Sequence, residues 1–369
     1  MHGARFEDGS IPLEILKDMA VLQEMIVEVA KWRFLEENPE RKRSPQGFTK
    51  DIELRLSRID GGSAVPVITV AYLMEQQPLI PPQEVEYLRQ ARDAVVAAIG
   101  AAERNESAAG HLPERYLTYF DRFMRSLRDD EYIELRTPTH TEPVRLTKET
   151  RRRIILESSS LREFSEQVVL RGYIPEADKD RRTFELQQIH GRKVRSPIPD
   201  QHFETILDVF DGYEQNVRVL IQGIGKLDRN SRLVRMESVE HISVLDPLDV
   251  PACLDEFRIL KDGWLDGEGH PPRHDGLDWL AASFERYYPE PPDVPLPYVY
   301  PTVEGGVQME WSLGSKEISL EVTLADHSAE WFWTDISDDN EYERTLDLNT
   351  PADWEWIAGQ IRRLSETAA

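Results

Sequence analysis

The sequence contains a single cysteine, Cys253, among its 369 residues. This excludes an intramolecular disulfide and a metal site built from several cysteines. Scarcity of cysteine in a chain of this length is typical of proteins from a reducing compartment. We therefore expect a cytoplasmic protein.

Long apolar runs are also missing. The most apolar extended stretch, residues 94–102, is about half of the roughly 20 residues that a membrane helix needs. Residues 1–10 do not contain the apolar core that follows a basic start in a secretory signal. We expect neither membrane insertion nor export.

Basic residues are scarce relative to acidic ones. The chain has 44 Lys and Arg against 68 Asp and Glu, which gives a net charge of −24. Residues 248–369 contain 8 basic and 26 acidic side chains, whereas residues 167–247 contain 12 and 13. Such a C-terminal third repels phosphate backbones and attracts basic proteins, although acidity also serves solubility. It is therefore the predicted partner-binding region.

Motifs for catalysis and nucleotide binding are absent as well. Gly223-Ile224-Gly225-Lys226 has neither the earlier glycine nor the following Ser or Thr of a phosphate loop, and Asp228 replaces the third glycine of a dinucleotide fingerprint. The histidines form no His-Glu-x-x-His pattern, and neither Ser63 nor Cys253 has the context of an activated nucleophile. We predict no catalytic residue, no metal and no cofactor, and we favour a non-enzymatic protein.

The patterns that are present predict an α+β protein with three domains, residues 1–160, 167–247 and 252–369. The first domain begins with an amphipathic helix over residues 12–37. Alternation at 52–56 and an apolar run at 65–72, joined by Asp60-Gly61-Gly62-Ser63, predict a β-hairpin covered by that helix. Two further helices (82–102 and 113–128), a short strand pair (132–136 and 143–146) and a helix from residue 148 complete the domain.

Residues 167–247 have the most recognisable topology. Three strand-like runs (168–174, 183–189 and 193–198) are followed by a helical run (200–210) and two longer strands (216–224 and 233–245). This is the element order of a five-stranded Greek-key barrel such as the OB-fold. Gly223 and Gly225 indicate a bulge or sharp bend in a barrel strand. We expect a central five-stranded OB-like barrel.

Residues 252–369 combine helical and alternating patterns. Two helical runs (252–260 and 275–288) and a proline-rich extended segment (289–301) precede three alternating runs that contain Trp311, Ile318 and Trp331. We predict a three-stranded antiparallel sheet packed by helices, with the last helix, residues 352–364, on its apolar face. The predicted partner-binding residues follow the third run: Asp335, Asp338, Asp339, Glu341 and Glu343.

A second candidate site is a nucleic-acid-binding face on the barrel. Basic side chains interleave with aromatic rings in its first three strands, which is the composition of a single-strand binding surface. The residues concerned are Arg171, Tyr173, Arg181, Arg182, Phe184, Arg192 and Lys193. Acidic neighbours such as Glu176 and Asp180 nearly neutralise this region, and alternation directs the aromatic residues inward. The competing interpretation is a salt-bridged barrel that docks a domain or a protein.

A third candidate site is the loop over residues 262–275. Its carboxylates and imidazoles are of the types that bind divalent cations or transfer protons: Asp266, Glu268, His270 and His274. Pro271 and Pro272 prevent the two histidines from sharing a helix face, and the spacing is not that of an EF-hand. The competing interpretation is a structured loop around a buried Trp264, with Asp275 as the cap of the next helix.

Three parts of the chain resemble a family of bacterial and mobile-element proteins. They are residues 54–66, ending in Gly62-Ser63-Ala64-Val65-Pro66; Arg181-Arg182-Thr183-Phe184 with residues 217–225; and Asp262-Gly263-Trp264-Leu265-Asp266-Gly267-Glu268-Gly269 with Glu304-Gly305-Gly306-Val307-Gln308-Met309-Glu310-Trp311. The family is an uncharacterised multi-domain one, found in toxin–antitoxin or phage-defence settings. The resemblance implies an antidote or accessory role and supplies no active-site residue.

The sequence thus predicts a non-enzymatic interaction protein that binds a basic protein partner, as an antitoxin-like or defence-accessory component. Two alternatives remain open. One is a nucleic-acid-binding regulator that acts through the barrel, and the other is an enzyme with a site in residues 262–275.

Overall fold

The computed structural model describes residues 1–46, 48, 52–60, 64–72, 83–138, 140–189, 191–289, 291, 293–337 and 340–366. The chain divides into two compact units. The first unit comprises Met1–Val169, Arg195–Pro197 and Gln222–Glu240, and the second comprises Leu170–Val194, Ile198–Ile221 and His241–Ala369. The division into three domains stays a prediction.

The first unit contains four α-helices among its described residues. They are α1 (Leu13–Glu37), α2 (Gln83–Glu103), α3 (Glu114–Leu117) and α4 (Lys148–Glu157). The amphipathic pattern of α1 is confirmed, since Ile15, Met25 and Val29 on one face are buried and α1 packs against α2.

The helix predicted over residues 113–128 is wrong beyond Leu117. A 3-10 turn follows at Thr118–Asp121, and Met124 has a left-handed backbone with φ 55°. The guanidinium of Arg151 on α4 donates hydrogen bonds to the carbonyls of Asp121 at 2.8 Å and Phe123 at 3.0 Å. Because a continuing helix would use such carbonyls internally, this side chain stabilises the irregular path.

Two antiparallel hairpins belong to the first unit. They are β1 (Ile52–Asp60) with β2 (Val65–Tyr72), and β3 (Tyr132–Thr137) with β4 (His140–Thr147). The prediction that α1 covers the first hairpin is wrong for the described side chains of β1, because consecutive residues from Arg55 to Ile59 are exposed. Of its predicted turn, residues 61–63 lie outside the described part of the chain.

The central sheet confirms the predicted order of elements. Its strands are β5 (Glu163–Asp178), β6 (Thr183–Gln188), β7 (Lys193–Pro197), β8 (Val219–Asp228) and β9 (Leu233–Val244), with α5 (Phe203–Asp211) between β7 and β8. The strands are arranged as β7-β6-β5-β8-β9 in a curled antiparallel half-barrel. The division between the two units falls within β5, β7, β8 and β9.

Gly223 allows close approach of backbone in β8. A Cβ atom at this position would collide with the backbone carbonyl of Ser238 on β9. A Cβ at Gly225 would meet the side chains of Val168 and Leu233. These two glycines therefore permit tight packing around a strongly curved strand.

The second unit ends in a sheet of five sequential antiparallel strands. The strands are β10 (Tyr298–Pro301), β11 (Val307–Leu313), β12 (Lys316–Thr323), β13 (Ser328–Asp335) and β14 (Asn340–Asp347), and the helices are α6 (Val250–Phe257), α7 (His274–Tyr287) and α8 (Pro351–Glu366). The three predicted strands are β11, β12 and β13, and a further strand flanks them on each side. We call this assembly the C-terminal sheet.

One face of the C-terminal sheet forms the apolar core of the second unit. Met309, Trp311 and Trp331 on this face belong to one buried cluster with residues of all three helices, including Trp354 of α8. The predicted packing of the last helix on the sheet is therefore confirmed. No helix in the described part of the chain has both the length and the apolarity needed to span a bilayer.

Candidate functional site

Strand alternation places the basic residues and most of the acidic residues of the C-terminal sheet on opposite faces. The only two Lys or Arg residues in β11 to β14 are Lys316 and Arg344, and both lie in the strand phase of the buried apolar residues. Lys316 is buried in the same phase as Ile318, and Arg344 is half-buried in the same phase as Leu346. Both cations are therefore on the face that the helices cover.

Acidic partners neutralise these two cations on the helix side. The Lys316 ammonium lies 4.0 Å from the Asp335 carboxylate. The Arg344 guanidinium lies 3.5 Å from Asp353 and 4.4 Å above the centre of the Trp356 ring. Neither side chain is thus available to balance charge on the opposite face.

The opposite face of the sheet carries six glutamates, and we call it the acidic sheet face. It comprises Glu310, Glu317, Glu321, Glu330, Glu341 and Glu343. Glu310 accepts a hydrogen bond from Gln308 at 2.6 Å, and Glu317 accepts one from Ser312 at 2.7 Å. The other four form no ion pair with any residue that the structure describes.

Two of these glutamates oppose each other directly. Glu321 on β12 is the register partner of Glu330 on β13. Directly opposite side chains in an antiparallel pair have Cβ atoms about 4.5–5.5 Å apart, and like charges in that position are destabilising. The face therefore concentrates negative charge, which lowers the stability of the free protein.

Exposed aromatic rings lie among the carboxylates. Phe332 on β13 is 38% exposed and pairs in register with Ser319 on one side and Glu343 on the other. Tyr298 and Tyr300 of β10, 53% and 47% exposed, lie at one edge of the face. The acidic sheet face thus offers both charge and apolar contact area to a partner.

The predicted partner-binding residues are only partly on this face. Glu341 and Glu343 are exposed there, whereas Asp338 and Asp339 lie outside the described residues. Asp335 is on the helix-facing side, where it accepts hydrogen bonds from Ser315 Oγ at 2.7 Å and from Ser337 Oγ at 2.6 Å. These hydrogen bonds lower the pKa of Asp335 to about 2. This carboxylate is therefore bonded within the protein and belongs to the structure of the sheet.

Sequence reasoning missed the four glutamates of β11 to β13. Glu310, Glu317, Glu321 and Glu330 all alternate with apolar residues that were assigned to the core. The alternation along each strand could have identified them, because a polar residue between two core positions of a sheet covered on one side faces away from the helices.

Basic residues of the barrel that were predicted to contact nucleic acid form ion pairs within the protein. Arg171 forms an ion pair with Glu285, Arg182 with Asp200, Arg181 with Asp178 at 3.6 Å, and Lys193 with Glu185 at 3.1 Å. Arg192 is exposed.

The two aromatic residues of this group do not form an open stacking surface. Phe184 is buried. Tyr173 is half-buried, and burial raises its pKa. The arrangement agrees with the salt-bridged interpretation of the barrel, and nucleic-acid binding stays a prediction.

The candidate ligands of the 262–275 loop do not converge. His270 Nδ1 lies 2.9 Å from Asp262 Oδ1, and both side chains are exposed, as are Asp266, Glu268 and His274. Leu265 and Glu268 close a tight turn, and Gly269, with φ 90°, lies against the ring of Trp264. Within the described ranges, no group of three or more His, Cys, Asp or Glu side chains is arranged to hold a metal ion.

Cys253 is not an activated thiol. It is half-buried, and its sulfur lies 3.8 Å from the Arg218 guanidinium. Desolvation raises the pKa of the thiol, and the hydrogen bond and charge of Arg218 only partly oppose this effect. The structure therefore gives Cys253 no electrostatic preparation for nucleophilic attack.

Comparison of the chain with protein-family models, with curated proteins and with solved structures gave no match. The acidic sheet face therefore has to be interpreted from its own geometry.

Proposed function

We propose that this protein is a non-enzymatic interaction protein that binds a basic protein partner through the acidic sheet face. The observation that carries the proposal is the segregation of charge across one sheet, with Lys316 and Arg344 on the helix side and six glutamates on the other. Alternation alone explains why most of the outer residues are polar. It does not explain why none of them is basic.

Electrostatic complementarity supports a protein partner with a cationic surface. A patch of one sign raises the association rate of an oppositely charged partner and selects against acidic competitors. The repulsion between Glu321 and Glu330 would be relieved when a cation of the partner lies between them. The negative charge of this face also disfavours nucleic acid, because the nucleic-acid backbone is anionic.

The biological setting of this complex rests on the resemblance noted above. A cytoplasmic protein that covers the basic surface of a partner fits an antitoxin-like or defence-accessory component. The proposal about the acidic sheet face is independent of that setting.

The test compares two variants that remove equal charge. The first replaces Glu321, Glu330, Glu341 and Glu343 by Gln on the acidic sheet face. The matched control replaces Glu268, Glu304, Glu355 and Glu366 by Gln, all of which are exposed in the second unit but not on this face. Binding of a fluorescent oligoarginine peptide is measured by anisotropy at several salt concentrations, and proteins are captured from nuclease-treated host lysate.

We expect the face variant to bind the peptide at least tenfold more weakly, with a flatter salt dependence, and the control to resemble the wild type. Any host protein that depends on the face should be basic, and should be lost with the face variant only. Equal weakening by both variants would mean that net charge, rather than this face, governs binding, and the proposal would be abandoned.

A further inference from the structure

The position of Phe332 suggests a more specific role than bulk charge. Its ring is partly open to solvent on the outer face of β13, between β12 and the edge strand β14 of the C-terminal sheet. Glu330 precedes it by two residues on the same strand face, and Glu343 is its direct partner on β14. Diagonal cross-strand neighbours lie about 7–8 Å away, which places Glu341 within reach of the same ligand group.

An aromatic ring bordered by carboxylates is suited to a cation. The π-face attracts a cation within about 6 Å of the ring centre, and adjacent carboxylates neutralise its charge. An arginine side chain satisfies both demands, because its planar guanidinium stacks on rings and donates paired hydrogen bonds to carboxylates. Lysine, a strongly hydrated point charge, gains less from the ring.

The second unit already contains this arrangement in two internal contacts. Arg344 lies 4.4 Å above Trp356 beside Asp353, and Arg182 lies 4.6 Å above Phe203 while it pairs with Asp200. In both cases a ring and a carboxylate hold one guanidinium. Phe332, Glu330 and Glu343 present the same two elements with no guanidinium from the described residues between them.

We infer that Phe332, together with Glu330 and Glu343, captures an arginine side chain of the basic partner. Phe332 is then the residue that makes the acidic sheet face selective for arginine over lysine. This inference rests on the proposed function, because it assigns a specificity determinant within the same docking surface.

The experiment uses the full chain and two peptides of equal length and charge, oligoarginine and oligolysine. Phe332→Leu keeps an apolar side chain of similar size without a ring, and Phe332→Tyr keeps the ring. The wild type should bind oligoarginine roughly two- to fivefold more tightly than oligolysine, the range that an exposed cation–π contact provides. Phe332→Leu should weaken oligoarginine binding more than oligolysine binding and so reduce this preference, and Phe332→Tyr should retain it.

The outcomes separate this inference from the proposal on which it rests. If Phe332→Leu keeps the arginine preference while the four-Gln face variant loses binding, Phe332 is not the anchor and the acidic sheet face remains the docking surface. If the four-Gln face variant binds oligoarginine as the wild type does, both fail. Thermal unfolding of each variant shows whether a loss of binding reflects a loss of fold.

Discussion

Glu321 and Glu330 occupy directly opposed positions on adjacent antiparallel strands, with no cation among the described residues to separate them. Opposite-charge pairs in this position contribute roughly 0.2–1 kcal/mol to sheet stability, and like charges act in the other direction. The relationship links stability to function, because what destabilises the free sheet favours a basic partner.

Relief of this repulsion should stabilise the free protein. We expect Glu330→Gln to raise the free energy of unfolding by a few tenths of a kcal/mol to about 1 kcal/mol, with a larger gain at low salt. Urea unfolding at two ionic strengths measures the effect. Glu355→Gln, an exposed substitution on α8, serves as the control and should change stability by less than about 0.5 kcal/mol. A destabilised Glu330→Gln would show that the pair is not repulsive.

Much of the second unit was predictable, because its inner strands follow a strict period of two. β10 and β14 were missed for physical reasons. β10 lies within a proline-rich segment and is an edge strand, where proline is tolerated. β14 has one fully buried side chain, Leu346, so its apolar periodicity is too weak to detect.

The candidate site itself was predicted in composition but only partly in position. The local density of acidic residues led to Asp335, yet Asp335 shares the inward phase of Trp331 and Trp333. Partners distant in sequence were not predictable at all. Arg171 pairs with Glu285, 114 positions away, and nothing local to either residue indicates that contact.

Asp335 should make the stability of the C-terminal sheet sensitive to acid. Hydrogen bonds from Ser337 and Ser315 lower its pKa from 3.8 to about 2 in the folded protein. A lowered pKa means that the ionised group stabilises the fold above about pH 4, and that this contribution is lost as the pH falls from about 4 to about 2. Melting temperatures of wild type and Asp335→Asn should therefore converge over that interval.

Glu355→Gln is again the control, since it also removes one carboxylate from the second unit. The difference in melting temperature between Glu355→Gln and the wild type should stay the same between pH 4 and pH 2. A constant difference in melting temperature between the wild type and Asp335→Asn down to pH 2 would contradict a stabilising role of the ionised Asp335 carboxylate.

Arg151 should be the most sensitive charged position in the first unit. Its side chain is 1% exposed, and its guanidinium donates to the backbone carbonyls of Asp121, Phe123 and Ser165. Burial lowers its pKa to about 10, so it remains a cation at neutral pH. Arg151→Met would remove these three buried hydrogen bonds, and we expect the free energy of unfolding to fall by about 3 kcal/mol or more in urea unfolding.

Arg153→Met, on the more exposed side of the same helix, should cost less than about 1 kcal/mol. Arg151→Lys should not restore stability, because one ammonium cannot reproduce the fork that reaches three carbonyls. Full rescue by lysine would assign the role to charge rather than to hydrogen-bond geometry.

A cation placed on the acidic sheet face by the chain itself should compete with the partner. Glu330→Arg puts a guanidinium opposite Glu321 and two residues from Phe332 on the same strand face. The substitution converts a repulsive pair into an attractive one, so the melting temperature should rise above that of Glu330→Gln. The new side chain should also occupy Phe332, and oligoarginine binding should fall further than it does in Glu330→Lys, which adds the same charge on a side chain that gains less from the ring. Anisotropy titrations of Glu330→Arg and Glu330→Lys provide the comparison, and equal peptide affinities for these two variants would show that the ring does not recognise arginine.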